Sequence, residues 1–263
     1  MAHGLLQGKK GIIFGALDDR SIAWKVAEAV HAQGGQFVLT NAPVALRMGT
    51  INQLAEATGS KVIPADVTLA EDLDRLVSEA KEIFGGLDFV LHSVGMSPNV
   101  RKGRSYTDLN YDFYHKTIDI SAMSLHRVLQ TCMKHDVLNE WASVVALTYI
   151  AAQRTYPGYG DMADAKAMLE SIARSFGYHY GYAKKVRVNS VSQSPTVTTA
   201  GSGVAGFDDF IGEAEKRSPL GNATAEECAD FCVALFSDLT RKVTMQNLFH
   251  DGGYSNVGAA PVG

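Results

Sequence analysis

The sequence predicts an α/β fold in one domain, with a doubly wound parallel sheet of about seven strands. Short, almost continuous apolar segments alternate with longer segments of helical periodicity along the 263 residues. This alternation is typical of parallel strands that helices cover on both faces. Small or polar residues follow several of the apolar segments, at the sheet edge where such folds bind ligands. The chain contains no internal repeat and no low-complexity linker, so we expect a single domain over residues 1–263.

The first half of the chain supplies four strands. GIIFGA (11–16) predicts a strand, and SIAWKVAEAVHAQGG (21–35) predicts a helix with Ser21 as its N-cap and a glycine stop. The same alternation then predicts strands at QFVLT (36–40), KVIPAD (61–66) and LDFVLHSVG (87–95), and helices near 45–58, over 69–86 and over about 107–135.

The second half supplies three more strands and the segment that we expect to cover the ligand. The predicted strands are WASVVALTY (141–149), KKVRVNSVS (184–192) and MQNLFHDGG (245–253), and the predicted helices cover about 157–182 and 224–238. Between the last two strands, a polar, glycine-rich segment (193–206) leads to a short helix. A long connection at this place is typical of a functional loop, and we expect residues 193–217 to close over a substrate.

Composition excludes several classes of protein. The net charge of −4 and the pI near 6.1 argue against nucleic acid as a partner, since phosphate binding needs a basic face. Cys228 and Cys232 lie one helical turn apart with no partner His or Cys nearby, so we expect helix packing and no metal site. His92 and His250 follow apolar segments and are expected to be core residues. No secretory signal and no membrane span is visible, which implies a cytoplasmic location.

Three predicted strand ends carry small or polar residues. Gly15 follows the first strand and is separated by five residues from Ser21-Ile22, although the usual G-x-G-x-x-G pattern is absent and a plain turn at this place would look the same. Asp66-Val67 ends the third strand, where a carboxylate can reach adenine edges. Ser93-Val94-Gly95 ends the fourth, where backbone can approach a cofactor. Together they favour a dinucleotide crevice, as in a Rossmann-type fold.

The stretch TYIAAQRTYPGYGDMADAK (148–166) contains three tyrosines and a lysine. Tyr159 and Lys166 are seven residues apart, so on a helix they would share a face about two turns, roughly 10 Å, from each other. Tyr156 lies about 80° away from that face and precedes Pro157, which favours a structural role. Tyr149 ends the fifth strand, where it is either a site residue or an ordinary aromatic residue.

Taken together, these motifs resemble the enoyl-acyl-carrier-protein reductases, a divergent branch of the short-chain dehydrogenase/reductase superfamily. The matching segments are GALDDRSIAW, HSVG (92–95), DIS (119–121), the Tyr149, Tyr159 and Lys166 set, and HDGG (250–253). The resemblance covers residues 5–257, and its most specific parts are the Gly-x5-Ser-Ile-Ala turn and the Tyr-x9-Tyr-x6-Lys spacing. Such enzymes complete each cycle of fatty-acid elongation.

The resemblance implies a role for each matching residue. The catalytic residues would be Tyr149, Tyr159 and Lys166, and the substrate would contact Ser97, Tyr149 and Tyr159. The cofactor would contact Gly15, Ser21, Ile22, Asp66, Val67, Ser93, Val94, Gly95, Lys166, Thr196, Thr198 and Ala200. Pro195-x-x-Thr198 matches the family loop, whereas Gln193-Ser194 replaces the more usual Ala-Gly before that proline. The implied partner is an acyl carrier protein that bears the enoyl group, and the implied assembly is a homotetramer.

One residue distinguishes reduction of an enoyl thioester from reduction of a ketone. Typical short-chain dehydrogenases carry a serine thirteen residues before the catalytic tyrosine, and here that position is Ala146. An enoyl thioester tolerates this loss, because the negative charge that develops on its oxygen can be stabilised by Tyr159 and a ribose hydroxyl. Lys166 would hold the nicotinamide ribose. The alternatives are a dehydrogenase that acts on a keto or hydroxy substrate and a dinucleotide-binding protein without turnover.

The residues after the second strand bear on the choice of cofactor. NAD-binding proteins usually place an acid there, and NADP-binding proteins place an arginine or lysine. The segment QFVLTNAPVALRM has Asn41 and Ala42 at this place and no base before Arg47. A 2′-phosphate without a paired charge would be costly, so we expect NADH to be preferred over NADPH.

Overall fold

Parallel strands form the centre of the molecule. The structure, a computed structural model, describes residues 3–199 and 207–258. Within these residues the sheet has the order β3-β2-β1-β4-β5-β6-β7, and all neighbouring strands are parallel. The strands are β1 (Lys10–Phe14), β2 (Gln36–Thr40), β3 (Lys61–Val62), β4 (Leu87–His92), β5 (Leu138–Thr148), β6 (Arg187–Gln193) and β7 (Asn247–His250). The α/β, doubly wound prediction is confirmed.

Helices cover both faces of this sheet. They are α1 (Ile22–Ala32), α2 (Pro43–Met48), α3 (Ile51–Thr58), α4 (Ala70–Phe84), α5 (Pro98–Arg101), α6 (Tyr111–Ile118), α7 (Ser124–Lys134), α8 (Gly160–Lys184), α9 (Phe207–Arg217) and α10 (Ala225–Phe236). Apolar residues of α4, α7 and α8 pack on one face, and those of α1, α3 and α10 pack on the other. Cys228 and Cys232 of α10 are fully buried in the second of these cores, as expected for helix packing.

The order of the strands fixes where a ligand can bind. The chain runs outward from β1 through β2 to β3, and then returns to the other side of β1 to place β4. The connections after β1 and β4 therefore diverge to opposite sides and leave a crevice beyond their carboxyl ends. Gly15 and Ser93 lie at this crevice.

Two predicted elements are shorter or interrupted in the structure. Only Lys61 and Val62 of the predicted third strand are regular strand, and Pro64 lies on this edge strand at a position whose N–H would point away from β2. The extended pairing continues beyond Val62, since the Ile63 N–H donates to the Leu39 carbonyl at 2.9 Å. The predicted helix at 45–58 is divided at Gly49, whose φ of −104° and ψ of −177° are extended.

The predicted helical region over about 107–135 contains two α-helices that a π-helical turn joins. This turn, Asp119–Met123, lies between α6 and α7. Its Ser121 hydroxyl accepts a hydrogen bond from the Met96 N–H at 2.9 Å and lies 3.1 Å from the Met96 carbonyl, to which it can donate. The π-helical turn therefore holds the loop that follows β4, and π-helical turns are often found at functional sites.

Candidate active site

A cavity of about 240 Å³ opens at the carboxyl ends of β1, β4, β5 and β6. Twelve of the residues that the sequence predicted for the site line it: Gly15, Ser21, Ile22, Ser93, Val94, Gly95, Ser97, Tyr149, Tyr159, Lys166, Thr196 and Thr198. They come from five separate parts of the chain, and the strand order brings them together. The cavity is therefore the candidate site for both cofactor and substrate.

Two predicted residues of the described part of the chain, Asp66 and Val67, are not brought to this cavity. The Asp66 carboxylate accepts hydrogen bonds from the Thr68 N–H at 2.9 Å and the Thr68 hydroxyl at 2.7 Å, and Val67 packs in the core. Both residues follow β3 by a few residues and are not part of the cavity lining. A contact between Asp66 and adenine stays a prediction. Ala200 lies outside the described residues.

The turn after β1 needs a glycine. Gly15 has a φ of +94°, and a Cβ atom built there would lie 1.9 Å from the carbonyl oxygen of Ser93. The turn closes through Ser21, whose hydroxyl donates to the Asp18 carbonyl at 2.7 Å and accepts from the Leu17 N–H at 3.2 Å. The N-terminus of α1 is thereby brought to the cavity, which is the arrangement that binds anions such as a pyrophosphate.

Lys166 lies inside the site. Its Nζ donates a hydrogen bond to the Leu147 carbonyl at 2.8 Å, and a side chain at Gly95 would come within 3.7 Å of it. Burial lowers the pKa of Lys166 from 10.5 to about 8, although nearby Glu170 acts in the opposite direction. The amine therefore keeps its positive charge at neutral pH.

The rings of Tyr149 and Tyr159 contact each other at the cavity in a tilted arrangement. Their ring centroids are 4.9 Å apart, at an interplanar angle of 47°. Burial raises the pKa of both phenols, so each retains its proton at neutral pH and can donate a hydrogen bond. The expectation that one helix carries both Tyr159 and Lys166 is wrong in one detail, because Tyr159 ends a short 3₁₀ turn and α8 begins at Gly160.

Tyr156 does not line the cavity. Its ring packs 5.5 Å from that of Tyr149, and its hydroxyl bonds to the hydroxyl of Tyr254. Ala146 is fully buried on β5 and does not line the cavity either.

Each of the two histidines expected in the core has one ring nitrogen next to a polar side chain, and His250 is only half-buried. His92 is fully buried, and its Nε2 lies 2.8 Å from the Ser124 hydroxyl. Burial lowers the pKa of His92 to about 3, so the ring is neutral. His250 stacks on Phe231 and bonds to Gln193 at 2.7 Å. Residues 3–199 and 207–258 contain no group of three or more His, Cys, Asp or Glu side chains that could hold a metal ion, and no helix in these ranges is long and apolar enough to cross a bilayer.

Sequence reasoning assigned no individual site role to ten further residues that line the cavity, although four of them lie in the segment 193–217 that it predicts to cover the substrate. These are Met96, Val100, Arg101, Leu147, Thr148, Met162, Gln193, Ser194, Pro195 and Phe210. The position of Met162 four residues before Lys166 on one helix could have indicated it. Arg101, at the end of α5, carries no comparable signal, because its approach to the cavity depends on the path of the chain after β4.

Comparison with known proteins agrees with this site. A family model described as "Enoyl-(Acyl carrier protein) reductase" matches residues 15–255. The crystal structure of the FabI–NADH complex from Alistipes finegoldii is 62% identical, with a TM-score of 0.97 over 98% of this chain and 92% of that chain.

Curated relatives give the same result. The enoyl-[acyl-carrier-protein] reductase [NADH] 2 of Rhizobium meliloti is 33% identical over 254 residues, which are 96% of this chain and 94% of that protein. The corresponding FabI enzyme of Bacillus cereus is 34% identical over 262 residues, which are 97% and 99% of the two chains. This chain therefore belongs to the enoyl-(acyl carrier protein) reductase family.

Proposed function

We propose that the protein reduces the trans-2 double bond of an enoyl thioester, carried by an acyl carrier protein, with NADH as the hydride donor. This reaction is the last step of the fatty-acid elongation cycle. The observation that carries the proposal is the meeting of two proton-bearing groups, the Tyr159 phenol and the Lys166 ammonium, in one cavity. That cavity also has a glycine turn and a helix N-terminus of the kind that binds dinucleotides.

The residues present fit a dinucleotide. Gly15 allows β1 and the loop after β4 to approach so closely that no side chain fits between them. Ser21 and Ile22 place the start of α1 at the cavity, where the helix dipole favours the negative charge of a pyrophosphate. Lys166 would hold the ribose hydroxyls next to the nicotinamide. When bound, the nicotinamide supplies the hydride that adds to the β-carbon of the substrate.

Tyr159 would stabilise the charge that this addition creates. As the β-carbon gains the hydride, the electrons of the double bond move toward the thioester carbonyl and leave negative charge on its oxygen. A hydrogen bond from the Tyr159 hydroxyl to that oxygen becomes stronger as the charge grows, which lowers the barrier. The α-carbon then takes up a proton, and the product is the saturated thioester. Tyr149, 4.9 Å away between ring centroids, restricts the Tyr159 ring.

Ala146 favours this reaction over reduction of a ketone. A short-chain dehydrogenase that acts on a keto group uses a serine at that position, whereas here the side chain is a buried methyl group. The decisive experiment measures NADH oxidation with a crotonyl thioester and, in parallel, with an acetoacetyl thioester of the same carrier. We expect turnover of the crotonyl thioester only. Turnover of the acetoacetyl thioester alone would support the keto-reductase alternative, and turnover of neither would support a binding protein.

The proposal also includes the assembly of the protein and its location in the cell. A single catalytic domain over residues 1–263, with residues 193–217 over the substrate, would act in the cytoplasm as a homotetramer. The face of α8 that carries Met168, Tyr178 and Tyr182 is exposed, with 36%, 52% and 77% of these side chains accessible, and it could form an interface between copies. Analytical ultracentrifugation checks this directly, since a monomer at micromolar concentration would refute the tetramer.

A further inference from the structure

A fully buried carboxylate lies behind the cavity wall. Asp161 follows Tyr159 by two residues, and its side chain accepts hydrogen bonds from three side chains. The donors are the Ser97 hydroxyl at 2.6 Å, the Asn99 amide at 2.7 Å and the Thr117 hydroxyl at 2.9 Å. Among the described residues it forms no salt bridge. A buried carboxylate is costly unless its oxygens are hydrogen-bonded, so these three contacts are tightly coupled to one another.

The donors belong to the segment that forms one wall of the cavity. Ser97 caps α5, because its hydroxyl also accepts from the Val100 N–H at 3.0 Å. Asn99 exchanges two hydrogen bonds with the backbone of Asn110, at 3.0 and 3.1 Å, and Asn110 in turn caps α6. Through two side chains, Asp161 therefore fixes the whole path from Ser97 to Asn110. Ser97, Val100 and Arg101 line the cavity along that path.

Gly160 links this network to the reacting tyrosine. Its φ of +49° and ψ of −137° turn the chain between Tyr159 and Asp161, so that Tyr159 lines the cavity while Asp161 is buried among α5 and α6. A Cβ atom at Gly160 would lie 3.3 Å from Val100 Cγ2, so the wall packs directly against this turn. The three consecutive residues Tyr159, Gly160 and Asp161 thus determine the position of the wall relative to the Tyr159 ring.

We propose that Asp161 is a positioning residue for the substrate side of the site. It holds the wall formed by Ser97–Arg101 at a fixed distance from the Tyr159 hydroxyl, so that the thioester oxygen lies within reach of that hydroxyl. The inference rests on the proposed function. Among the described residues, the side-chain hydrogen bonds of Asp161 go to the substrate wall and to α6. None goes to the turn at Gly15–Ile22, so NADH binding should not depend on Asp161.

The test is Asp161→Asn, which keeps the size of the side chain and removes its charge. One carboxylate oxygen becomes an NH2 group, which has to face either the Asn99 amide or the Ser97 hydroxyl, and both of these groups donate to the carboxylate in the wild type. We expect kcat/KM for the crotonyl thioester to fall about tenfold to a hundredfold, mainly through KM, as expected for a charge-assisted bond and a displaced wall. The Kd for NADH, from fluorescence titration, should stay within about twofold, which also shows that the variant folds.

A matched control lies one turn further along the same helix. Asp164 accepts hydrogen bonds from the hydroxyls of Tyr106, at 3.1 Å, and Tyr114, at 3.2 Å, but it does not line the cavity. Asp164→Asn should change kcat/KM by less than about threefold, since hydrogen bonds in exposed and partly exposed places contribute little.

Two results would overturn the inference. They are an Asp161→Asn variant with wild-type kcat/KM, and an Asp161→Asn variant that loses NADH affinity in the same proportion as kcat/KM. If Asp161→Asn does not fold, Ser97→Ala removes only one donor and should give a smaller fall in kcat/KM with unchanged NADH affinity; no fall would refute the role. Failure of the proposed function itself is distinguishable, because the wild-type protein would then not turn over the crotonyl thioester.

Discussion

Replacing Lys166 with methionine should make the cofactor-free protein more stable at neutral pH while weakening its binding of NADH. Burial lowers the pKa of Lys166 from 10.5 to about 8, so the unfolded chain binds this proton more tightly than the folded protein does. Between pH 8 and 10.5 the unfolded state holds more protons, and the free energy of unfolding therefore rises with pH through that window. Below pH 8 the folded protein bears the full free-energy cost of burying the charged amine.

The size of the effect follows from this pKa. The penalty for burying the charged amine is about 3 kcal/mol at pH 7 and about 1 kcal/mol at pH 10. Methionine removes this penalty but leaves the Leu147 carbonyl without the 2.8 Å hydrogen bond from Nζ, which costs about 1 kcal/mol. Lys166→Met should therefore be about 2 kcal/mol more stable than the wild type at pH 7 and about equally stable at pH 10.

Urea unfolding of both proteins without cofactor, at pH 7 and pH 10, measures this difference. The exposed Lys116 provides the control, since Lys116→Met should change the free energy of unfolding by less than about 0.5 kcal/mol at either pH. A Lys166→Met variant that is less stable at pH 7, or a difference that does not shrink toward pH 10, would refute the reasoning. Loss of NADH affinity in the stabilised variant would identify the lysine as a residue kept for function at a cost in stability.

Three further outcomes are expected. Tyr159→Phe should lower kcat about a hundredfold, the usual cost of one oxyanion donor, whereas Tyr156→Phe should leave steady-state rates almost unchanged. The reverse pattern would mean that Tyr156, and not Tyr159, donates to the thioester oxygen. Gly15→Ala should abolish measurable NADH binding in a fluorescence titration, because its Cβ would lie 1.9 Å from a carbonyl oxygen, while Gly59→Ala, at a φ of +64° with open space around it, should not. Steady-state kcat/KM should favour NADH over NADPH at least about tenfold, and the opposite preference would mean that Arg47 reaches a 2′-phosphate.

The sequence predicts best those parts of the site in which residues close together in the chain act together. Gly15 and Ser21, separated by five residues, belong to one turn that leads into α1. Tyr159 directly precedes α8, and Lys166, seven residues later, lies on that helix. Each of these residues lines the cavity. The alternation of strand and helix also predicts the sheet, because burial on both faces leaves a pattern that local sequence carries.

Asp161 shows why the rest could not be predicted. Its hydrogen-bond partners lie 64, 62 and 44 residues away in the chain, and a single aspartate in the first turn of a helix is ordinarily an exposed residue. Burial of such a residue depends on which loops the fold packs against it. The shortened β3 is different, since Pro64 was visible in the sequence and a proline in a strand is typical of the edge of a sheet, where β3 lies.

The π-helical turn at Asp119–Met123 has a consequence for how this region could change by insertion or deletion. Such a turn fits one extra residue into an otherwise continuous helix, so α6 and α7 differ in rotational phase by about 100° from what an unbroken helix would give. Deleting one residue there would regularise the hydrogen bonds locally, yet it would rotate the apolar face of α7 away from β5 or turn the Ser121 hydroxyl away from Met96. A single-residue deletion in this turn would therefore change the packing along the whole of α7 or the position of the loop that follows β4.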